Sequence, residues 1–146
     1  LSLAEPAAAQ SQSDLIAPEG ATGLQSAPLV SATEVMVVAA NPLAAEAGMA
    51  VLRKGGSAAD AAIAVQAVLG LVEPQSSGLG GGAFALWFDG ATGELTTYDA
   101  RETAPAAATP DLFLDDNGEP LPFFEAVIGG RSVGVPGMPL LLELLA

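Results

Sequence analysis

The apolar and polar positions fall into blocks, and each block predicts an element. Residues 34–40, EVMVVAA, form a short β-branched run that suits a buried strand. Asn41-Pro42 then supplies an N-cap followed by proline at the first helical position. The spacing over 42–54 predicts a helix with Leu43, Ala47, Ala50 and Val51 on one face. Arg53 and Lys54 fall in its last turn, where cations complement the helix dipole, and Gly55-Gly56 end it. Ser57, with Asp60 three residues on, reads as a capping box in which Asp replaces the usual Glu or Gln. The helix that follows, over 58–72, is small-residue-rich and apolar on nearly all sides, so protein must cover most of its faces.

A glycine-rich loop comes next, VEPQSSGLGGGAF, with Gly78, Gly80, Gly81 and Gly82 able to reach positive φ. Residues 83–88 and 94–100 read as two strands joined by a hairpin loop at DGATG, 89–93. The segment RETAPAAATPDLF over 101–113 and an acidic turn over 114–120 come next, and an apolar helix is expected after Pro139. That helix stops without a C-cap glycine or a basic last turn, so the expectation is a fragment, or a helix covered by another chain. Residues 1–33 keep neither a period of 2 nor of 3.6 and predict a flexible arm. Their apolar start followed by Ala7, Ala8 and Ala9 suits the tail of a secretory leader equally well.

Composition narrows the chemistry. With 17 acids against 4 bases the net charge is −13, and only Arg53 and Lys54 are neighbours among the cations. Nucleic acid is therefore excluded as a partner, because neutralising phosphates needs clustered Lys and Arg. Cys and His are both absent, which removes thiol nucleophiles, disulfides, zinc sites built on Cys or His, and any serine triad that needs imidazole. No apolar run reaches the roughly 18 residues of a membrane span. At 146 residues the chain has the length of one domain.

The glycine loop fails two anion-binding patterns. A dinucleotide fingerprint needs a strand before the loop and a helix after it, and here the order is reversed. No Lys-Ser or Lys-Thr follows the glycines, so it is not a phosphate loop either. Close backbone packing, or a tight entry into the sheet, is the favoured reading. Ser76 and Ser77 lack a base to activate them and read as loop hydroxyls bonded to backbone. Arg101, set directly after a strand, is placed either to fork onto a substrate carboxylate or to pair with Asp99 or Glu102. Arg131 carries the same ambiguity with less support. Asp111, Asp115, Asp116 and Glu119 do not match a calcium loop and read as a solvated turn rather than a metal site.

Together these residues carry a resemblance. The stretch NPLAAEAGMAVLRKGGSAADAAIAVQAVLGLVEPQSSGLGGGAFALWFDGATGELTTYDARETAPAAATPDLF, followed by SVGVPGMP, resembles the N-terminal part of the large subunit of γ-glutamyltransferase, also called γ-glutamyltranspeptidase or glutathione hydrolase. The resemblance spans about residues 34–146 and several long motifs in series. It implies an α+β fold, with residues 34–146 an incomplete part of an αββα N-terminal-nucleophile hydrolase sandwich. It implies an autoprocessed precursor whose small subunit begins with a nucleophilic threonine and forms a heterodimer with the large one. The activity implied is cleavage of γ-glutamyl amides such as glutathione, with transfer to water or to an amino acid or peptide, in the periplasm or secreted, without a cofactor. Arg101 matches the family arginine that holds the substrate α-carboxylate. The nucleophilic threonine is expected beyond Ala146, since Thr92, Thr96, Thr97, Thr103 and Thr109 are internal; this chain then holds no catalytic residue and is inactive alone. Two rival readings are a related acylase, of the cephalosporin or polyglutamate-degrading type, and a non-catalytic binding remnant.

Overall fold

The first two helix starts form as the local sequence predicts. In the computed structural model, which describes residues 29–146, Asn41 is extended and its side chain accepts from the Leu43 amide at 3.0 Å, opening α1, Pro42–Arg53. Gly55 follows the helix at φ +88°, a conformation only glycine adopts without strain. The Ser57 hydroxyl accepts from the Asp60 amide at 3.1 Å while the Asp60 carboxylate accepts from the Ser57 amide at 2.8 Å. That reciprocal box opens α2, Ala58–Val72. Most of the arm expected over 1–33 lies outside the described residues.

The buried stripe of α1 differs from the expected one. Leu43 is 58% exposed, and Ala44 and Gly48 are buried instead. A Cβ on Gly48 would lie 2.7 Å from Val65 Cγ2 and 3.0 Å from Val37 Cγ1, so α1 meets α2 through its smallest residues. Close approach of two helices selects small side chains over the largest apolar ones. Within α2 only Ala61 is buried, and Leu71 stands exposed, so the cover expected around this helix is only partly supplied, by α1 and by the helix Met138–Leu145.

The strand expected over 34–40 does not form. The segment carries no regular secondary structure; Val37 packs on Gly48, but no described strand lies beside it to complete a ladder. The one sheet among the described residues is an antiparallel pair, β1 (Ala83–Asp89) with β2 (Glu94–Ala100), in register Ala83↔Ala100 through Asp89↔Glu94. Asp89 and Glu94 join the ladder, so the loop shortens to 90–93. Asp89 accepts from the Ala91 amide at 2.8 Å, and Gly93 takes φ +75° to turn back into β2.

One face of the hairpin carries Phe84, Leu86 and Phe88 with Leu95 opposite Phe88, all exposed. The other packs inward: Ala100 is buried with Met138 and Leu141 of α4 (Met138–Leu145), and Ala83, Ala85 and Tyr98 lean on them. Between sheet and α4 the chain makes a short helix, α3 (Phe123–Val127), and a 3-10 turn at Gly130–Ser132, neither anticipated from periodicity. At five residues α3 is too short to display a period.

Candidate functional site

Ala100 ends β2 with two glycines pressed against its carbonyl. A Cβ on Gly82 would sit 2.5 Å from the Ala100 oxygen and 2.8 Å from the Glu102 amide nitrogen, and one on Gly137 would collide with the same Ala100 oxygen. The Gly81 carbonyl in turn accepts from the Gly137 amide at 3.2 Å and the Met138 amide at 3.0 Å. The glycine loop therefore joins the end of β2 to the start of α4 by backbone contact. Close packing was the favoured reading of these glycines, and Gly82 bears it out. None of Gly78, Gly80, Gly81 or Gly82 uses positive φ.

Arg101 leaves this junction. Its amide donates to Asp99 Oδ1 at 3.0 Å, and two residues on Thr103 and Val135 exchange backbone bonds of 3.2 and 2.8 Å. The backbone on both sides of Arg101 is thus held. Its side chain is 72% exposed, and Nε lies 3.6 Å from Glu102 Oε2. Such an exposed pair contributes little to stability and leaves most of the guanidinium's donors unused. Both partners anticipated for a structural role are in contact, Asp99 through the backbone amide and Glu102 through a long ion pair.

Arg101 lines a cleft of about 520 Å³ with Pro105, Leu112 and Phe113 on its apolar wall and Arg131 contributing a second cation. A neighbouring cleft of about 540 Å³ is lined by Gln66, Ser76, Ser77 and Gly82, and it shares Gly80 and Glu102 with the first. Ser77 accepts from Gln66 Nε2 at 3.0 Å, so its partner is a side chain of α2 and not the backbone expected for it.

The convergence of Arg101 and Arg131 was not visible along the sequence, because it rests on long-range pairing such as the Thr103–Val135 bridge. The usable signal was scarcity: with four cations in the whole chain, each one is a marked position.

The acidic turn closes on itself. Asp115 Oδ1 accepts from the amides of Asn117 at 2.8 Å and Glu119 at 2.9 Å. The Glu119 bond first, then Asn117, holds the Asp115 carboxyl below its ordinary range. Among the described residues no group of three or more Asp, Glu, His or Cys could hold a metal ion, and no helix is long and apolar enough to cross a membrane.

Comparison with known proteins places this geometry in context. Residues 44–146 match the family model described as Gamma-glutamyltranspeptidase. The chain is 56% identical over 102 residues to the glutathione hydrolase proenzyme of Bacillus subtilis strain 168, covering 70% of this chain and 17% of that protein. Among solved structures, Helicobacter pylori gamma-glutamyltranspeptidase matches with TM-score 0.74 at 37% identity, over 81% of this chain and 33% of that one. The enzyme from Pseudomonas nitroreducens, in complex with L-DON, matches with TM-score 0.72 at 31% identity, over 79% of this chain and 33% of that one.

Proposed function

Because the chain belongs to the γ-glutamyltranspeptidase family, we propose that the protein carrying it cleaves γ-glutamyl amide bonds, in glutathione and related compounds. Its described elements are part of the α+β N-terminal-nucleophile hydrolase fold of that family. The γ-glutamyl group passes to the Oγ of an N-terminal threonine on a small subunit cut from the same precursor, and the amine of the leaving portion departs with a proton. Water, or the amine of an amino acid or peptide, then takes the acyl group and restores the threonine. The α-amine of that threonine serves as base, so the chemistry needs neither His nor Cys, and this chain has neither. The periplasm or the exterior of the cell is the compartment that goes with this reading.

The contribution of this chain is recognition. Arg101 holds the α-carboxylate of the γ-glutamyl group, for which a guanidinium offers two parallel donors. The observation that supports the role is its placement: a backbone held by Asp99 and by the Thr103–Val135 bridge, carrying an exposed guanidinium at an open cleft.

The test is intact-mass spectrometry on the product of the whole gene, purified by γ-glutamyl anilide cleavage. Two chains are expected, the larger containing this sequence and the smaller beginning with Thr. A single unprocessed species without that activity overturns the reading.

A further inference from the structure

We propose that Arg131 is a second carboxylate-binding residue of the Arg101 cleft, selecting γ-glutamyl compounds whose leaving portion carries a carboxylate of its own. The inference rests on the γ-glutamyl reading above and names the substrate class within it.

Charge is the first argument. Two of the four cations in a chain of net charge −13 line one cleft. Among the described residues the only carboxylate lining it is Glu102, which sits beside Arg101 at 3.6 Å. Two guanidiniums against one carboxylate leave the cleft a net positive charge in an otherwise acidic molecule, and the cation left over is Arg131. Among the described residues Arg131 makes no ion pair, and no side-chain hydrogen bond engages it.

Placement is the second. Arg131 is the middle residue of the 3-10 turn Gly130–Ser132, whose backbone is held independently of the arginine side chain. Ser132 Oγ donates to the Val127 carbonyl at 2.9 Å, the Val133 amide donates to the Gly130 carbonyl at 3.2 Å, and Gly129 enters the turn at φ +97°. A fixed turn that carries an exposed, unpaired guanidinium at a cleft has the form of a recognition element, since ordering it for no partner gains nothing.

The ligand follows from the rest of the lining. Pro105, Leu112 and Phe113 give an apolar surface that suits an uncharged linking segment, and about 520 Å³ accommodates a small peptide. One carboxylate at Arg101 and another at Arg131 describe a γ-glutamyl amino acid or a γ-glutamyl peptide, not a γ-glutamyl amine.

The experiment compares two substrates on the enzyme expressed from its whole gene: glutathione, whose leaving portion ends in a carboxylate, and a γ-glutamyl anilide, whose leaving portion has none. The readout is the ratio of kcat/KM for the first over the second. Arg131→Ala is expected to lower that ratio about tenfold, the scale of one charge-assisted hydrogen bond. Arg131→Gln is a second variant with a polar end, expected to fall nearly as far, and Arg131→Lys is expected to recover part of the loss. Arg101→Ala is expected to lower kcat/KM for both substrates and to leave the ratio near its starting value. A ratio unmoved by Arg131→Ala and Arg131→Gln overturns the proposal while leaving the γ-glutamyl reading intact. Failure of the unaltered enzyme to cleave either substrate overturns that reading itself.

Discussion

The side-chain amide of Asn41 donates to the carboxylate of Glu73 at 3.1 Å, across 32 positions of sequence. Asn41 also caps α1 through its Oδ1, and Glu73 is the residue that ends α2, so one side chain fastens the start of the first helix to the end of the second. Gln75 adds a second donor to the same carboxylate at 2.6 Å. Asn41 first and Gln75 second hold the Glu73 carboxyl below its ordinary range.

Asn41→Asp separates the two roles of this residue. The new carboxylate still accepts from Leu43, but it cannot donate to Glu73 and faces it as a like charge. At pH 7 the protein should melt at a lower temperature than the parent. As the pH falls toward 4 the carboxylates begin to protonate and the deficit should shrink. Asn41→Ala loses the cap, at about 1 kcal/mol, and with it the donor that holds Glu73 low, so its deficit also shrinks toward pH 4, but by less than that of the Asp variant, which adds a like charge. Thermal unfolding of both variants at the two pH values distinguishes them, and an Asp variant whose deficit stays constant would refute the account.

Ser57→Ala tests the capping box in the same terms. The Ser57 backbone amide first, and its hydroxyl second, hold the Asp60 carboxyl below its ordinary range. A carboxyl with a lowered folded pKa contributes stability that is present above its unfolded pKa and is lost as the pH falls through its folded pKa. For Asp60 that window opens near pH 4 and extends downward. The substitution removes the hydroxyl cap, costs about 1 kcal/mol at neutral pH, and should flatten this part of the acid limb. Stability measured in denaturant from pH 7 to below pH 4 checks both parts.

These caps were legible along the chain because a cap is local: Asn41-Pro42, Ser57 with Asp60, and Gly55 each act within a few residues of themselves. The stripe of α1 was misplaced because apolar size favours Leu43, whereas helix contact is decided by how closely backbones approach, and Ala44 and Gly48 allow more. The run over 34–40 has the composition of a strand, but a ladder needs a neighbour that composition cannot supply. Arg101 was marked by its own place after β2. That it lines one cleft with Arg131 rests on long-range pairing such as the Thr103–Val135 bridge, which has no local signal.

Gly82→Ala and Gly80→Ala form a matched pair in the glycine loop. The first puts a methyl group 2.5 Å from the Ala100 oxygen and 2.8 Å from the Glu102 nitrogen, both backbone atoms that cannot swing aside. The second meets nothing within 4 Å, and its φ is not positive. Gly82→Ala should destabilise by about 1–3 kcal/mol or more, as overpacking does. Gly80→Ala should fall within about 0.5 kcal/mol of the parent, as most surface changes do. Equal stability of the two in denaturant unfolding would mean that the backbone contact at Ala100 is not fixed.

Arg101→Lys asks whether the arginine serves the fold or the ligand. Its side chain is 72% exposed and its ion pair with Glu102 is long, so the thermal midpoint should hardly move. The Asp99 contact uses the backbone amide and survives any substitution here except proline. A lysine keeps the charge but presents a point donor in place of a planar fork. If Arg101 grips a carboxylate with two parallel bonds, kcat/KM for γ-glutamyl substrates of the whole enzyme should drop by about tenfold or more while stability holds. A variant with unchanged kinetics removes the carboxylate fork. One that loses stability and activity together returns Arg101 to a structural part in its contact with Glu102.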